Sequence, residues 1–252
     1  MIFNSLSFAV FFPLVTFIYF IIPHTYRWSL LLISSCVFYM WFIPKYIFIL
    51  GITIVIDYAA GILIERSQNK SKKKIILFLS IVSTLAVLFI FKYYNFFILN
   101  YNFINQVFGS HYSLDLINII LPVGLSFHTF QSLSYVIEVY RGNQKAVSHF
   151  GIYSLYVMFY PQLVAGPIER PQNLLHQFTE YHSFDYKRVT EGLTLMAWGL
   201  FKKVVIADRL AVIVNLVYDI PYAHKGVVLS IATIFFAFQI YCDFSGYSDI
   251  AL

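Results

Sequence analysis

The residues best suited to chemistry stand where lipid-soluble sequence should exclude them. The last twelve read Tyr241-Cys-Asp-Phe-Ser-Gly-Tyr-Ser-Asp-Ile-Ala-Leu. They put two carboxylates, Asp243 and Asp249, beside the hydroxyls of Ser245 and Tyr247 at the end of an apolar run. Such groups are expensive to bury without partners. On a continuous helix Gln239, Asp243, Gly246 and Tyr247 share a face, with Ser245 and Asp249 behind. Gly246 also permits a break in the helix. A site-forming segment is the preferred reading, and a span that has simply reached water is the alternative.

A second group lies further back. At 100° per residue, His128, Gln131, Ser132 and Tyr135 fall on one stripe, flanked by Glu138, and Phe130, Leu133, Val136 and Ile137 are expected opposite. Two readings stay open, an interhelical hydrogen-bond seam and the lining of a pocket. A third group is Phe201-Lys-Lys-Val-Val-Ile-Ala-Asp-Arg-Leu. Lys202 or Lys203 with Asp208 makes an imperfect helical pair, so partners from other segments are one reading; snorkelling of the lysines towards headgroups is the preferred account. The fourth is Asp57, with Glu65 and Arg66 as interface anchors; Asp57 lies deeper and needs a partner that the sequence does not identify. Ionisable groups in a span cost about 2.5 kcal/mol or more by insertion scales, which makes each a candidate for function.

The elements that must carry these groups are membrane helices. Of the 252 residues 60% are hydrophobic and 12% charged, about half the charge of a soluble domain. Runs long enough for crossing cover residues 6–22, 28–42, 46–64, 75–99, 116–140, 193–217 and 227–241. Residues 152–164 are shorter and are expected to be re-entrant or interfacial. The opening run has no Lys or Arg ahead of it and no small-residue cleavage site, so it reads as a first span and not a removable signal. With no composition shift and no long polar linker, residues 1–252 read as a single membrane domain.

Residues 65–74 hold Arg66, Lys70, Lys72, Lys73 and Lys74 against Glu65, whereas residues 100–115 hold no Lys or Arg. Basic loops stay cytoplasmic, so the loop from Glu65 through Lys74 is expected inside and the N-terminus outside. The polar stretch 166–191, with Glu169 and Arg170, is expected to border a cytoplasmic cavity. The net charge of +5 carries no aromatic-interleaved basic stripe, so no nucleic-acid partner is expected. Cys36 and Cys242 lie in apolar runs and read as inert thiols, neither a disulfide nor a metal site. There is no phosphate loop, dinucleotide fingerprint, HExxH or GxSxG.

Four blocks, in order, carry a resemblance: Pro122-Val-Gly-Leu-Ser-Phe-His-Thr-Phe-Gln-Ser-Leu-Ser-Tyr135, Leu163-Val-Ala-Gly-Pro-Ile-Glu-Arg-Pro171, Gly199-Leu-Phe-Lys-Lys-Val-Val-Ile-Ala-Asp208 and Cys242-Asp-Phe-Ser-Gly-Tyr-Ser-Asp249. Together they resemble the bacterial, alginate O-acetyltransferase-like branch of the membrane-bound O-acyltransferase (MBOAT) family. The resemblance implies an all-α polytopic membrane protein, its helices around a central funnel, of which this chain is the front portion. It implies transfer of acetyl from a cytoplasmic thioester, acetyl-CoA or an acyl carrier, to a hydroxyl of a cell-envelope or exported polysaccharide. No bound cofactor is implied, and in some systems an extracytoplasmic partner acetyltransferase completes the transfer.

The family's chemistry is attributed to a histidine in a buried tunnel and a second in a Trp-Arg-Trp-His-like block. Both lie downstream of the aspartate-rich block, and neither motif occurs in residues 1–252. His128 sits in an earlier block and is not their equivalent. On this resemblance Asp243, Ser245, Tyr247 and Asp249, with His128, Gln131 and Tyr135, become chamber candidates. Glu169 and Arg170 become candidates for the cytoplasmic mouth. A transporter or flippase, and an inert membrane scaffold, are the alternatives.

Overall fold

A computed structural model describes residues 1, 3–109, 112–117, 122, 124–163 and 166–251. Every regular element among them is helical: α1 (Leu6–Ile21), α2 (His24–Met40), α3 (Tyr46–Arg66), α4 (Lys70–Val107), α5 (Leu125–Arg141), α6 (Phe150–Met158), α7 (Pro171–Leu174), α8 (Tyr186–Leu200), a π-helical segment Phe201–Ala207, α9 (Asp208–Tyr218) and α10 (Gly226–Ala251). Two short 3₁₀ turns punctuate the connections. α3, α4 and α10 are long and apolar enough to cross a membrane, and α1 is a shorter apolar helix.

Local chemistry sets the helix starts. Ser5 accepts from the Phe8 amide at 3.2 Å. Asn69 accepts from the Ser71 and Lys72 amides at 2.8 and 3.3 Å, and Asp185 accepts from Lys187 and Arg188 at 2.9 and 3.3 Å. Each occupies an orphan amide of a first turn. α5 is bounded by two glycines in the left-handed region, Gly124 (φ 75°) and Gly142 (φ 82°). At its end the Asn143 amide bonds the Glu138 carbonyl and the Gly142 amide bonds the Val139 carbonyl, at 3.0 and 3.1 Å. This is a Schellman closure, which needs that left-handed residue.

The expected span over residues 116–140 is corrected. The helix begins only at Leu125; residues 116, 117 and 122 are outside any helix, and residues 118–121 and 123 lie outside the described set. Its 17 residues extend about 25 Å, short of the hydrocarbon thickness. The break that Gly246 permits does not occur, since α10 runs unbroken to Ala251. α6, at nine residues, covers about 13 Å and cannot cross; Val164, the end of the expected segment 152–164, lies outside the described residues.

The chain forms two compact units. The first comprises residues 1–24, 164–167 and 181–252, and in it α10 packs against α8, the π segment and α9. The second comprises residues 25–163 and 168–180. There α3 packs on α4 and α5, and α5 is further covered by α4, α6 and α7. That crowding explains why Leu133 and Val136, expected on the outer side of α5, are buried along with His128, Gln131, Ser132 and Tyr135, while Phe130 remains exposed.

α4 has 38 residues, about 57 Å of helix, nearly twice the hydrocarbon core. Its distal part carries a ladder of asparagines that grips the irregular segment 112–117. Asn95 makes paired bonds with Ile117 (2.8 and 3.0 Å), Asn102 does the same with Leu114 (both 2.9 Å), and Asn105 donates to the Tyr112 carbonyl at 3.1 Å. Each paired side-chain amide presents a donor and an acceptor to the carbonyl and the N–H of one residue, as a residue of a neighbouring antiparallel strand would.

Two glycines allow a test of backbone effects alone, because a Cβ at either Gly51 or Gly142 meets nothing within 4 Å. Gly142→Ala is expected to cost about 1–2 kcal/mol of stability in detergent, from the left-handed φ. Gly51→Ala, inside α3, is expected to add up to about 1 kcal/mol. Thermal unfolding followed by circular dichroism checks both signs.

Candidate functional site

The first unit gathers the aspartate-rich block around two adjacent lysines. Lys203 Nζ lies 2.5 Å from Asp243 and 3.0 Å from Asp208, and 5.4 Å from the centre of the Tyr247 ring. Lys202 Nζ donates to Ser245 Oγ at 2.7 Å and pairs with Asp249. The expected faces of α10 are therefore present, with Asp243 and Tyr247 taken by one lysine and Ser245 and Asp249 by the other.

Between the lysines runs a glycine seam. A Cβ on Gly199 would fall 2.6 Å from the Gly246 carbonyl oxygen, and one on Gly246 would fall 2.7 Å from that of Gly199. Only glycine lets the two backbones approach this closely. Gly246 thus serves packing and not a break. Phe3 packs against Tyr247 with the rings tilted and their centres 5.5 Å apart, bringing the start of the chain to the same place.

Snorkelling is corrected by these contacts. The Lys202 and Lys203 side chains are only 13% and 16% exposed and are held by carboxylates. The imperfect pair Lys203–Asp208 forms because the intervening helix is π-type. Five residues apart, the two would stand about 140° apart on an α-helix, whereas the i→i+5 repeat of a π turn draws them together. The same turn lets neighbouring lysines reach opposite flanks of α10.

The second unit supplies the partner that Asp57 needed. Its carboxylate, fully buried, accepts from Ser80 at 2.6 Å, from Thr84 at 3.0 and 3.2 Å, and from Ser132. Ser132 in turn lies 2.9 Å from the Tyr153 hydroxyl. Helices α3, α4, α5 and α6 are thereby joined at one carboxylate, with hydroxyl dipoles doing the work of water. Ser80 and Thr84, four residues apart in an apolar helix, were the sequence signal for this node.

The rest of the α5 stripe is fastened to α6 and its flanks. His128 Nδ1 lies 3.1 Å from the Val157 carbonyl. A carbonyl only accepts, so Nδ1 carries the proton and Nε2 presents its lone pair. Nε2 is buried and has no hydrogen-bond partner among the described residues, and the same holds for Thr129 Oγ1. Gln131 donates to the Tyr156 carbonyl at 2.8 Å and to Gln162 at 3.2 Å. Tyr135 accepts from the Val147 amide at 2.9 Å, and its ring fills the space that a side chain at Gly61 would need.

Glu138 accepts from Gln172 at 2.7 Å and Asn143 at 2.9 Å. The half-buried Glu169 offers its carbonyl to the Tyr156 hydroxyl at 3.0 Å, and Arg170 is exposed beside it. The predicted residues therefore fall into two clusters, one per unit: 243, 245, 247 and 249 in the first, and 128, 131, 135, 169 and 170 in the second.

Described residues that are helical in every regular element, with membrane-length apolar helices, shielded lysines paired with aspartates and a buried Asp57 hydrogen-bonded by neighbouring helices, mark an integral membrane protein. No family model matches it. It is 32% identical over 248 residues to the peptidoglycan O-acetyltransferase of Helicobacter pylori, covering 88% of this chain and 46% of that protein. To the probable alginate O-acetylase AlgI of Pseudomonas aeruginosa it is 35% identical over 255 residues, 100% of this chain and 48% of the relative. The corresponding protein of Azotobacter vinelandii is 36% identical over 258 residues, 100% and 50%. Along most or all of its length the chain is thus similar to proteins named for O-acetylation of alginate and of peptidoglycan, consistent with the MBOAT-like resemblance of its four blocks. It spans about half the length of the curated relatives it matches.

The pair Lys202–Asp249 is shielded enough for its loss to register. Either Lys202→Ala or Asp249→Ala is expected to cost about 2 kcal/mol, less than a fully buried pair because some solvent reaches both. Lys202→Asp combined with Asp249→Lys is expected to recover part of that loss. A double-mutant cycle on thermal unfolding measures the coupling, and additive losses without recovery would show that the contact carries no energy.

Proposed function

We propose that the protein is a membrane O-acetyltransferase that moves acetyl groups from a cytoplasmic thioester to hydroxyls of an envelope or exported polysaccharide. The observation that carries this reading is the match along essentially the whole chain to proteins named for O-acetylation of alginate and of peptidoglycan. The lysine–aspartate cluster lies within two of the blocks that carried the resemblance. In transfer, the acceptor oxygen bonds to the thioester carbonyl carbon, the carbon–sulfur bond breaks, and the acceptor proton leaves with the thiolate as thiol. A histidine near neutral pKa suits the proton's passage, and the resemblance puts that histidine in motifs that residues 1–252 do not contain.

Within this reading the helices surround a funnel in the cytoplasmic membrane. Asp243, Ser245, Tyr247 and Asp249 shape the reaction chamber, while Glu169 and Arg170 border the cytoplasmic mouth. Asp243 and Asp249 act through their lysines as positioning groups and not as free bases, since each carboxylate is already engaged. His128, Gln131 and Tyr135 line a wall. The acceptor is reached in some systems through an extracytoplasmic partner acetyltransferase, and the donor is acetyl-CoA or an acyl carrier.

Deleting the gene is expected to abolish ester-linked acetate on one class of envelope or exported polymer. Asp243→Asn in the whole protein is expected to lower that acetate severalfold at unchanged protein level. Acetate unchanged by the deletion would overturn the enzymatic reading; unchanged acetate in the variant alone would remove Asp243 from the chamber. Orientation is tested separately. A cysteine in place of Ser71 should resist an impermeant thiol reagent in intact cells, and ready labelling would invert the topology.

A further inference from the structure

One charge in the second unit stands without a counter-charge. Asp57 is the only buried acid among the described residues, at 0% exposure. Asp208, Asp243 and Asp249 each lie beside a lysine, and Glu138 has Arg141. None of the ion pairs among the described residues includes Asp57. The position is also deep. Asp57 lies nine residues before Arg66 on α3, about 13 Å of helix. Ser80 and Thr84 lie six and ten residues beyond Lys74 on α4, about 9 and 15 Å. Both helices therefore carry their polar groups to the same depth below the basic connection that joins them.

Hydrogen bonds satisfy the polarity of this carboxylate but not its charge. Ser80, Thr84 and Ser132 all donate to it, and a hydroxyl that donates still holds two lone pairs. Ser132, its own proton committed to Asp57, takes a proton from the Tyr153 hydroxyl at 2.9 Å and keeps one pair. One negative charge and a set of hydroxyl lone pairs, from three helices, thus meet in an apolar interior. A charge left there without a partner is strongly unfavourable.

From this arrangement we infer that the Asp57 cluster is a binding site for a single sodium ion, held by the carboxylate and by the hydroxyl oxygens of Ser80, Thr84 and Ser132. All four ligands are hard oxygens, with no nitrogen or sulfur to suit a transition metal. Calcium and magnesium gather several carboxylates or waters, and one carboxylate is present here. A monovalent ion cancels that charge completely. Potassium is larger, and hydroxyls already within hydrogen-bonding distance of the carboxylate form a cage for the smaller ion. Binding requires each hydroxyl to turn its proton away from Asp57 and present a lone pair. In a helix the carbonyl one turn back accepts such a proton. The ion fastens α3, α4 and α5 at one point, so its binding favours the folded state.

The test uses the whole protein in detergent, with choline chloride holding the ionic strength constant. Radioactive sodium, followed by scintillation proximity, is expected to bind at a single site per chain. Unlabelled sodium should displace it about tenfold better than potassium, since a tight oxygen cage selects by size. The unfolding temperature should rise with sodium and level off as the site fills. Asp57→Asn keeps the shape and loses the charge, and should abolish binding; Thr84→Val should weaken it severalfold. Wild type that binds no sodium would overturn the inference, and so would a sodium response that survives in Asp57→Asn. Should that variant not fold, Thr84→Val decides, because unchanged sodium affinity there removes the site. Stability that ignores sodium and falls as pH rises would show that a proton neutralises Asp57, which also overturns it. Sodium binding and polymer acetylation are independent readouts, so either can fail alone.

Discussion

Asp57 carries a carboxylate into the interior of four packed helices with no cation beside it among the described residues. Lipid and apolar side chains offer nothing to solvate it, so the surrounding helices must. α4 lends two hydroxyls, α5 lends one, and α6 supports that one with Tyr153. Because the donors come from two helices and one of them is itself held by a third, the carboxylate is fully satisfied only when α3, α4 and α5 are in register and α6 backs them. A hydrophobic contact tolerates sliding; this one does not. The depth and rotation of α3, α4, α5 and α6 follow from a single polar obligation, and the stripe of α5 then meets the carbonyls of α6 without further adjustment.

The first unit solves the same difficulty with charge in place of hydroxyl dipoles. Lysines and aspartates neutralise one another across a seam where two glycines let α8 and α10 approach backbone to backbone. The closeness and the ion pairs depend on each other. Bulkier residues at the seam would lift the lysines away from their carboxylates, and a regular α-helix through Phe201–Ala207 would turn one of them aside. A π turn is uncommon and tends to persist where something else compensates for it; here the compensation is the pairing of both lysines.

Much of the helical plan could be read from apolar runs, since α1, α2, α3, α4 and α10 lie where hydrophobicity placed them. α5 could not be bounded that way. Its start is fixed by Gly124 in a left-handed conformation, and an apolar stretch containing Pro122 gives no sign of where regular structure begins. The polar stripe of α5 was legible because period 3.6 holds along it. The burial of Leu133 and Val136 was not, because hydrophobic residues facing protein and facing lipid look alike in a membrane sequence. The lysines were misread for another reason, namely that pairing was judged on α-helical geometry, which the π segment does not follow. The partners of Asp57 were visible only as small hydroxyls, which membrane helices also use at ordinary contacts.

The asparagine ladder on the distal part of α4 has a consequence for the environment it can tolerate. Its grip on residues 112–117 uses carboxamides against peptide groups, none of which gains or loses a proton over the range in which cells live. A strap fastened by ion pairs would slacken in brine or in acid. This one contains no titrating group of its own, so the fastening at the far end of the 38-residue helix does not depend on the charge state of any side chain within it.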